Sequence, residues 1–124
     1  MFTALPFDNQ LESYPPLRIY TPDGRAWLPL THIIYLEGSA NYTWLHTVMA
    51  QPFLVAYTLK CFEDQLPPTY FLRIHRHYLV NRRFIAQIDS YGKQGEVCLT
   101  TGHRLIVSRR RFSWLKQLPF FEHL

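Results

Sequence analysis

Glu96-Val97-Cys98-Leu99-Thr100-Thr101-Gly102-His103-Arg104-Leu105-Ile106-Val107-Ser108 decides the fold class. Apolar and polar side chains alternate on both sides of Thr101-Gly102, the pattern of two half-buried strands joined by a turn. The alternation assigns Val97, Leu99, Leu105 and Val107 to one buried face. Just upstream, Phe84-Ile85-Ala86-Gln87-Ile88-Asp89 reads as another strand, with a turn at Gly92 to Gly95. Further back, Leu17 to Tyr20 and Arg25 to Leu30 flank Thr21-Pro22-Asp23-Gly24, a strong turn sequence, and read as a second hairpin. His32 to Glu37, Asn41 to Thr47, Phe53 to Tyr57 and Phe71 to Ile74 are strands rich in β-branched and aromatic residues.

Two short helices interrupt the strands. Thr58 and Ser108 are N-cap residues. Behind them Leu59, Phe62 and Leu66, then Phe112, Leu115 and Leu118, recur at helical spacing, which makes them core stripes. Pro67-Pro68 and Pro119 stop the helices. No strand–helix–strand rhythm runs through the chain. The expectation is a mainly β domain of about eight to ten short antiparallel strands with two short helices, not a doubly wound nucleotide-binding fold. Residues 1–16, punctuated by Pro15-Pro16, are a leader: either a linker or a strap on the domain that occupies residues 17–124.

Ten of the 13 basic residues and only three of the nine acids lie in residues 71–124. Seven of those ten form two clusters, Arg73, Arg76, Arg82 and Arg83, then Arg109, Arg110 and Arg111. Segregated charge marks a surface for a polyanion. Arg outnumbers Lys by ten to three, which favours forked contacts to phosphates and base edges. No apolar run reaches the roughly 20 residues that span a bilayer. No signal peptide is visible, and Cys61 and Cys98 sit singly among apolar neighbours, so a reduced cytoplasmic protein is expected.

Phosphate-loop, dinucleotide and nucleophile-elbow motifs are missing, and the acids show no catalytic pairing, so an enzyme is not expected. Glu63 and Asp64 are expected to point apart into solvent. His75-x-His77 is the best metal candidate, since a strand would place both rings on one face. Three flanking arginines oppose a dication there, and no metal or cofactor is assigned. His75, next to apolar Ile74, is expected to be a neutral, hydrogen-bonded brace for the adjacent loop.

Ile34-Tyr35-Leu36-Glu37-Gly38-Ser39-Ala40-Asn41-Tyr42 resembles the first motif of the LytTR family of bacterial DNA-binding domains. Phe71-x-Arg73-Ile74-His75-Arg76-His77-x-x-Val80-Asn81 is similar to that family's most distinctive motif, F-x-R-I-H-R-S-x-x-V-N, and Leu105-x-Val107-Ser108-Arg109-Arg110 to its closing motif. The resemblance implies an elongated set of small antiparallel sheets. It also implies a transcriptional regulator that binds double-stranded DNA sequence-specifically through loops in successive major grooves, as the effector module of a response regulator.

By position, the resemblance makes Asn41, Tyr42, Thr43, Arg76 and Arg110 candidates for base contacts. His75, Asn81 and Ser108 become supports or phosphate contacts. Arg109 joins the closing-motif surface, and Arg82 is an expected phosphate contact. His77 stands where the family usually carries Ser, and its imidazole can still donate to phosphate. Two copies are expected on a direct repeat. With about 16 residues before the module, the chain reads as an excised domain or a free-standing regulator. The alternative is a non-enzymatic interaction module whose basic face docks an acidic partner. An RNA binder would expect exposed aromatics on a sheet face; Trp27, Tyr42 and Trp44 are candidates, but they lie away from the basic clusters.

Overall fold

The computed structural model describes residues 2–4, 10–49 and 51–123. Twelve strands lie in three antiparallel sheets. One sheet holds β1 (Phe2–Ala4), β9 (Ile85–Tyr91), β10 (Gln94–Leu99), β11 (Arg104–Val107) and β12 (Phe121–His123), in the order β11-β10-β9-β1-β12. A two-stranded ribbon pairs β2 (Leu17–Thr21) with β3 (Gly24–Leu28). The central sheet runs β6-β5-β4-β8-β7, built from β4 (Ile33–Ser39), β5 (Tyr42–Thr47), β6 (Phe53–Val55), β7 (Phe71–His75) and β8 (Tyr78–Asn81). Helices α1 (Leu59–Gln65) and α2 (Arg109–Lys116) complete the fold.

The hairpin read first from the sequence is β10–β11, and it pairs Val97 with Leu105 and Gly95 with Val107. Val97, Leu99, Leu105 and Val107 are all buried together. Thr58 and Ser108 cap their helices, each side-chain oxygen accepting the N–H three residues on, at Cys61 and Arg111. Glycine is required at position 95, where a Cβ would stand 2.4 Å from Phe112 of α2.

Among the described residues the first and last strands also pair with each other. β1 hydrogen-bonds β9 and β12, and the nearby Leu11 is 1% exposed in the core. Over its described residues the N-terminal stretch makes these contacts with the domain.

Two apolar clusters share the central sheet as a wall. Leu36, Leu45 and Leu79 face Phe62 of α1 and Ile19 of the ribbon. Ile34, Leu72, Ile74 and Val80 face Ile88 and Val97 of the five-stranded neighbour and Leu115 of α2. Alternation lets each strand feed both sides, and a register shift between Ile33 and Tyr35 in β4 turns both Ile34 and Tyr35 to the second cluster. No helix among the described residues is long and apolar enough to cross a membrane.

The second half of the first arginine cluster serves this core. Arg82 is buried, not a surface cation as expected. Its guanidinium carbon lies 4.5 Å from the Tyr70 ring centroid and 3.9 Å from that of Phe120, and its Nε donates to the Thr69 carbonyl at 2.6 Å. Arg83 forms a forked ion pair with Glu12, 2.7 Å from Nη2 to Oε2, and so ties the N-terminal stretch to the domain. Asn81 is fully buried. Its Nδ2 donates to the carbonyls of Ile33 at 2.9 Å and Leu30 at 3.4 Å, and its Oδ1 accepts the Arg83 N–H at 3.0 Å. Of the two roles expected for Asn81, support and phosphate contact, this geometry supplies the support.

Candidate nucleic-acid interface

Strand β7 and strand β8 are joined by the two residues Arg76 and His77. Their register slips between Arg73 and His75, so Ile74 is a bulge just before the turn. Bulges re-aim neighbouring side chains. Here Arg73 folds back along its own strand, its Nε donating to the His75 carbonyl at 2.9 Å and its Nη2 to the Arg76 carbonyl at 2.6 Å. Glu63 of α1 fixes the third corner of the fork, 2.7 Å from Nη1. Glu63 is thus engaged with a cation rather than solvated as expected, and Asp64 pairs with Lys60. Arg73 is a clamp on the turn that presents Arg76.

His75 acts on the same turn from the other side. Its Nδ1 accepts the His77 N–H at 3.1 Å, and its ring stacks on that of His77, with centroids 5.3 Å apart. The His77 Nε2 accepts from Arg76 Nε at 3.2 Å. The His77 carbonyl accepts the Gly38 N–H at 2.9 Å, joining the turn to the end of β4.

Burial, then the charges of His77, Arg76 and Arg73, hold the His75 pKa below its ordinary 6.5. His46, buried beside Glu37, is also lowered, chiefly by desolvation. In both cases the unfolded chain binds the proton better. Stability is therefore unaffected well above pH 6.5 and falls as pH drops through 6.5 toward the lower folded-state values. We expect His75→Ala to melt lower at pH 7.5, a loss of about 1 kcal/mol for one hydrogen bond. Its fall in Tm between pH 7.5 and 5.5 should be smaller than that of the parent. Thermal melts at the two pH values check this, and an unchanged pH dependence would assign the effect elsewhere.

The start of α2 is tied to this turn. The Ser108 N–H donates to the Ile74 carbonyl at 3.0 Å, and Arg111 Nη1 donates to the Arg73 carbonyl at 3.2 Å. Ser108 and Arg111 are thereby struts, and Arg110 is left exposed next to Arg76. Together Lys60, Arg73, Arg76, Arg110 and Arg111 line an open trough of about 540 Å³ that contains one carboxylate, Glu63. A second hollow beside it is lined by Gly38, Ala40, Lys60, Arg76 and His77. It borders the β4–β5 turn at Ala40 and Asn41. Ala40 has φ 55°, the left-handed conformation that lets a two-residue connection close.

Asn41 and Tyr42 are exposed at that turn, as a contact surface requires. Thr43 is not. It is fully buried, and its Oγ1 donates to the Tyr57 carbonyl at 2.7 Å. Arg109 also stands apart from the trough, in a shallow hollow with Lys93 and Lys116 on another side of α2. Lys60 and the clamp role of Arg73 were not anticipated. The Arg73-x-His75 spacing on a strand was a usable signal for the latter. Nothing local marks Lys60, which reaches the trough only because α1 packs against β4 and β8.

Among the described residues, one group of three potential metal ligands occurs, Asp89, Glu96 and Cys98. Arg104 already occupies both carboxylates, with Nη2 3.1 Å from Asp89 and Nε on Glu96.

A basic trough flanked by strand-end turns, on a β framework with short helices, defines a class of DNA-binding domain. The family model of the LytTr DNA-binding domain matches residues 23–119, and the chain belongs to that family. Among solved structures it is similar to the LytTr DNA-binding domain of a Bacillus cereus protein described as a methyl-accepting/DNA response regulator. The two share 26% identity with a TM-score of 0.73, over 84% of this chain and 95% of that one. No curated protein matches the chain. Family and fold together give a DNA-binding regulatory domain whose partner is double-stranded DNA.

Proposed function

We propose that this domain reads a specific duplex sequence by inserting its strand-end turns into successive major grooves. The observation that carries the reading is the convergence of Arg76 and Arg110 on one trough, both exposed, while Arg73, Ser108 and Arg111 hold the backbone beneath them. Arg76 and Arg110 contact base edges through their planar forks. Asn41 and Tyr42, on the neighbouring turn, reach the adjacent groove. His77, Lys60 and Arg109 contact phosphates, and the exposed first turn of α2 adds backbone N–H donors. Two copies occupy a direct repeat and so regulate transcription from it.

Selection of bound duplexes from a random library tests sequence preference, and a docking module for acidic proteins would return none. Arg76→Ala and Arg110→Ala are each expected to relax preference at one position at a cost of about 1–3 kcal/mol. Arg109→Ala should weaken all sequences alike and flatten the salt dependence by about one unit of slope. Identical behaviour of the three variants on single-base-substituted sites would refute the division of roles.

A further inference from the structure

The outer face of the β2–β3 ribbon is independent of the trough. Strand alternation sends Leu17, Ile19 and Ala26 toward the core and Arg18, Tyr20, Arg25 and Trp27 outward. The outward four form two directly opposed cross-strand pairs, Arg18 with Trp27 and Tyr20 with Arg25. In each pair the guanidinium stands over the ring, 6.0 Å from the centroid of Trp27 and 5.8 Å from that of Tyr20. Trp27 is 61% exposed and Tyr20 49%. Neither arginine has an ion-pair partner among the described residues. β2 precedes residue 23, where the match to the family model begins.

We infer that this face docks an acidic protein segment bearing aliphatic side chains, supplied by a molecule other than a second copy of this chain. Two unpaired guanidinium groups with no acid between them call for an anionic occupant. The rings narrow the class further. Trp, Tyr and Arg are the side chains that dominate protein interfaces, and they bury aliphatic groups well. Duplex DNA keeps its bases stacked inside and offers an indole little to cover. A second copy is a poor source of that charge. Glu12, Glu63, Asp64, Asp89 and Glu96 are each held by an Arg or Lys of their own chain, and Glu37 lies against the His46 ring. Of the other acids whose side chains are described, that leaves Asp23, in the turn of this same ribbon. Four side chains fall well short of the roughly 1,000 Å² of a stable interface. The contact is therefore weak alone and gains strength when DNA holds the partner nearby.

The isotope-labelled chain should be titrated separately with a synthetic peptide of Asp, Glu and Leu, with oligo(dT), and with phosphatidylglycerol-containing vesicles. The expected result is a saturable shift of the Trp27 indole N–H by the peptide. Arg18→Glu/Arg25→Glu should weaken that titration by about tenfold or more while the core amide spectrum is unchanged. Trp27→Ala, an exposed change, should abolish the accompanying shifts in β2. Peptide shifts confined to the trough, or a Trp27 titration indifferent to charge reversal, would overturn the inference. So would oligo(dT) or vesicles moving Trp27 at lower concentration than the peptide.

Discussion

Asn81→Ala is expected to cost about 3 kcal/mol, since it leaves two buried carbonyls and one N–H without their partner. For a domain of this size that lowers Tm by roughly 10 °C. The side chain holds three backbone segments at once: the approach to β4 at Leu30, β4 itself at Ile33, and the turn into β9 at Arg83. Asn81→Asp should be nearly as damaging, because a carboxylate cannot donate to Leu30 and Ile33. Thermal or urea unfolding measures both. DNA affinity of the fraction still folded should be close to that of the parent, which separates this role from a phosphate contact. A variant that melts normally and loses DNA would reverse the assignment.

Arg73→Ala is expected to weaken DNA binding more than loss of Arg76 alone. It removes charge-assisted hydrogen bonds to the carbonyls of His75 and Arg76, worth about 1.5–3 kcal/mol each when made. It also strands Glu63, 29% exposed, facing the trough as the sole unpaired carboxylate. The Arg76 turn then loses its fixed conformation, and a negative charge meets the phosphates. Glu63→Gln should rescue part of the affinity of Arg73→Ala by removing that charge, without restoring the turn. Arg73→Lys should not rescue, because an ammonium cannot span both carbonyls and Glu63 in one plane. Binding isotherms of the four variants at two salt concentrations check this. Equal losses for Arg73→Ala and Arg73→Ala/Glu63→Gln would remove the electrostatic half of the account.

Much of the framework was legible because its signals are local. The Thr101-Gly102 turn with alternation on either side specifies β10–β11, and a Thr or Ser ahead of a helical stripe specifies each helix start. The motif around His75 located the turn that carries Arg76. Other features depend on distant residues. Nothing in Arg82-Arg83 tells that one guanidinium is sandwiched between Tyr70 and Phe120 while the other reaches Glu12, since those partners lie up to 71 residues away. β1 and β12 are three residues long; β1 gains its order from β9 and β12 gains its order from β1, not from their own pattern. Thr43 is a different kind of miss. It alternates with Leu45 and Thr47, which are buried like it, whereas the resemblance grouped it with its exposed neighbours Asn41 and Tyr42.

The wall shared by the two apolar clusters has a consequence for how the molecule comes apart. Strands β4, β7 and β8 each contribute side chains to both clusters. Neither half can lose its interior while the other keeps one, so melting is a single all-or-none event. The amides of β5, β4 and β8, hydrogen-bonded on both edges inside the central sheet, are expected to open only with the whole molecule and to exchange last with solvent. The Arg76 turn hangs from the end of β8, so the part that meets DNA is anchored to the part of the chain that yields last.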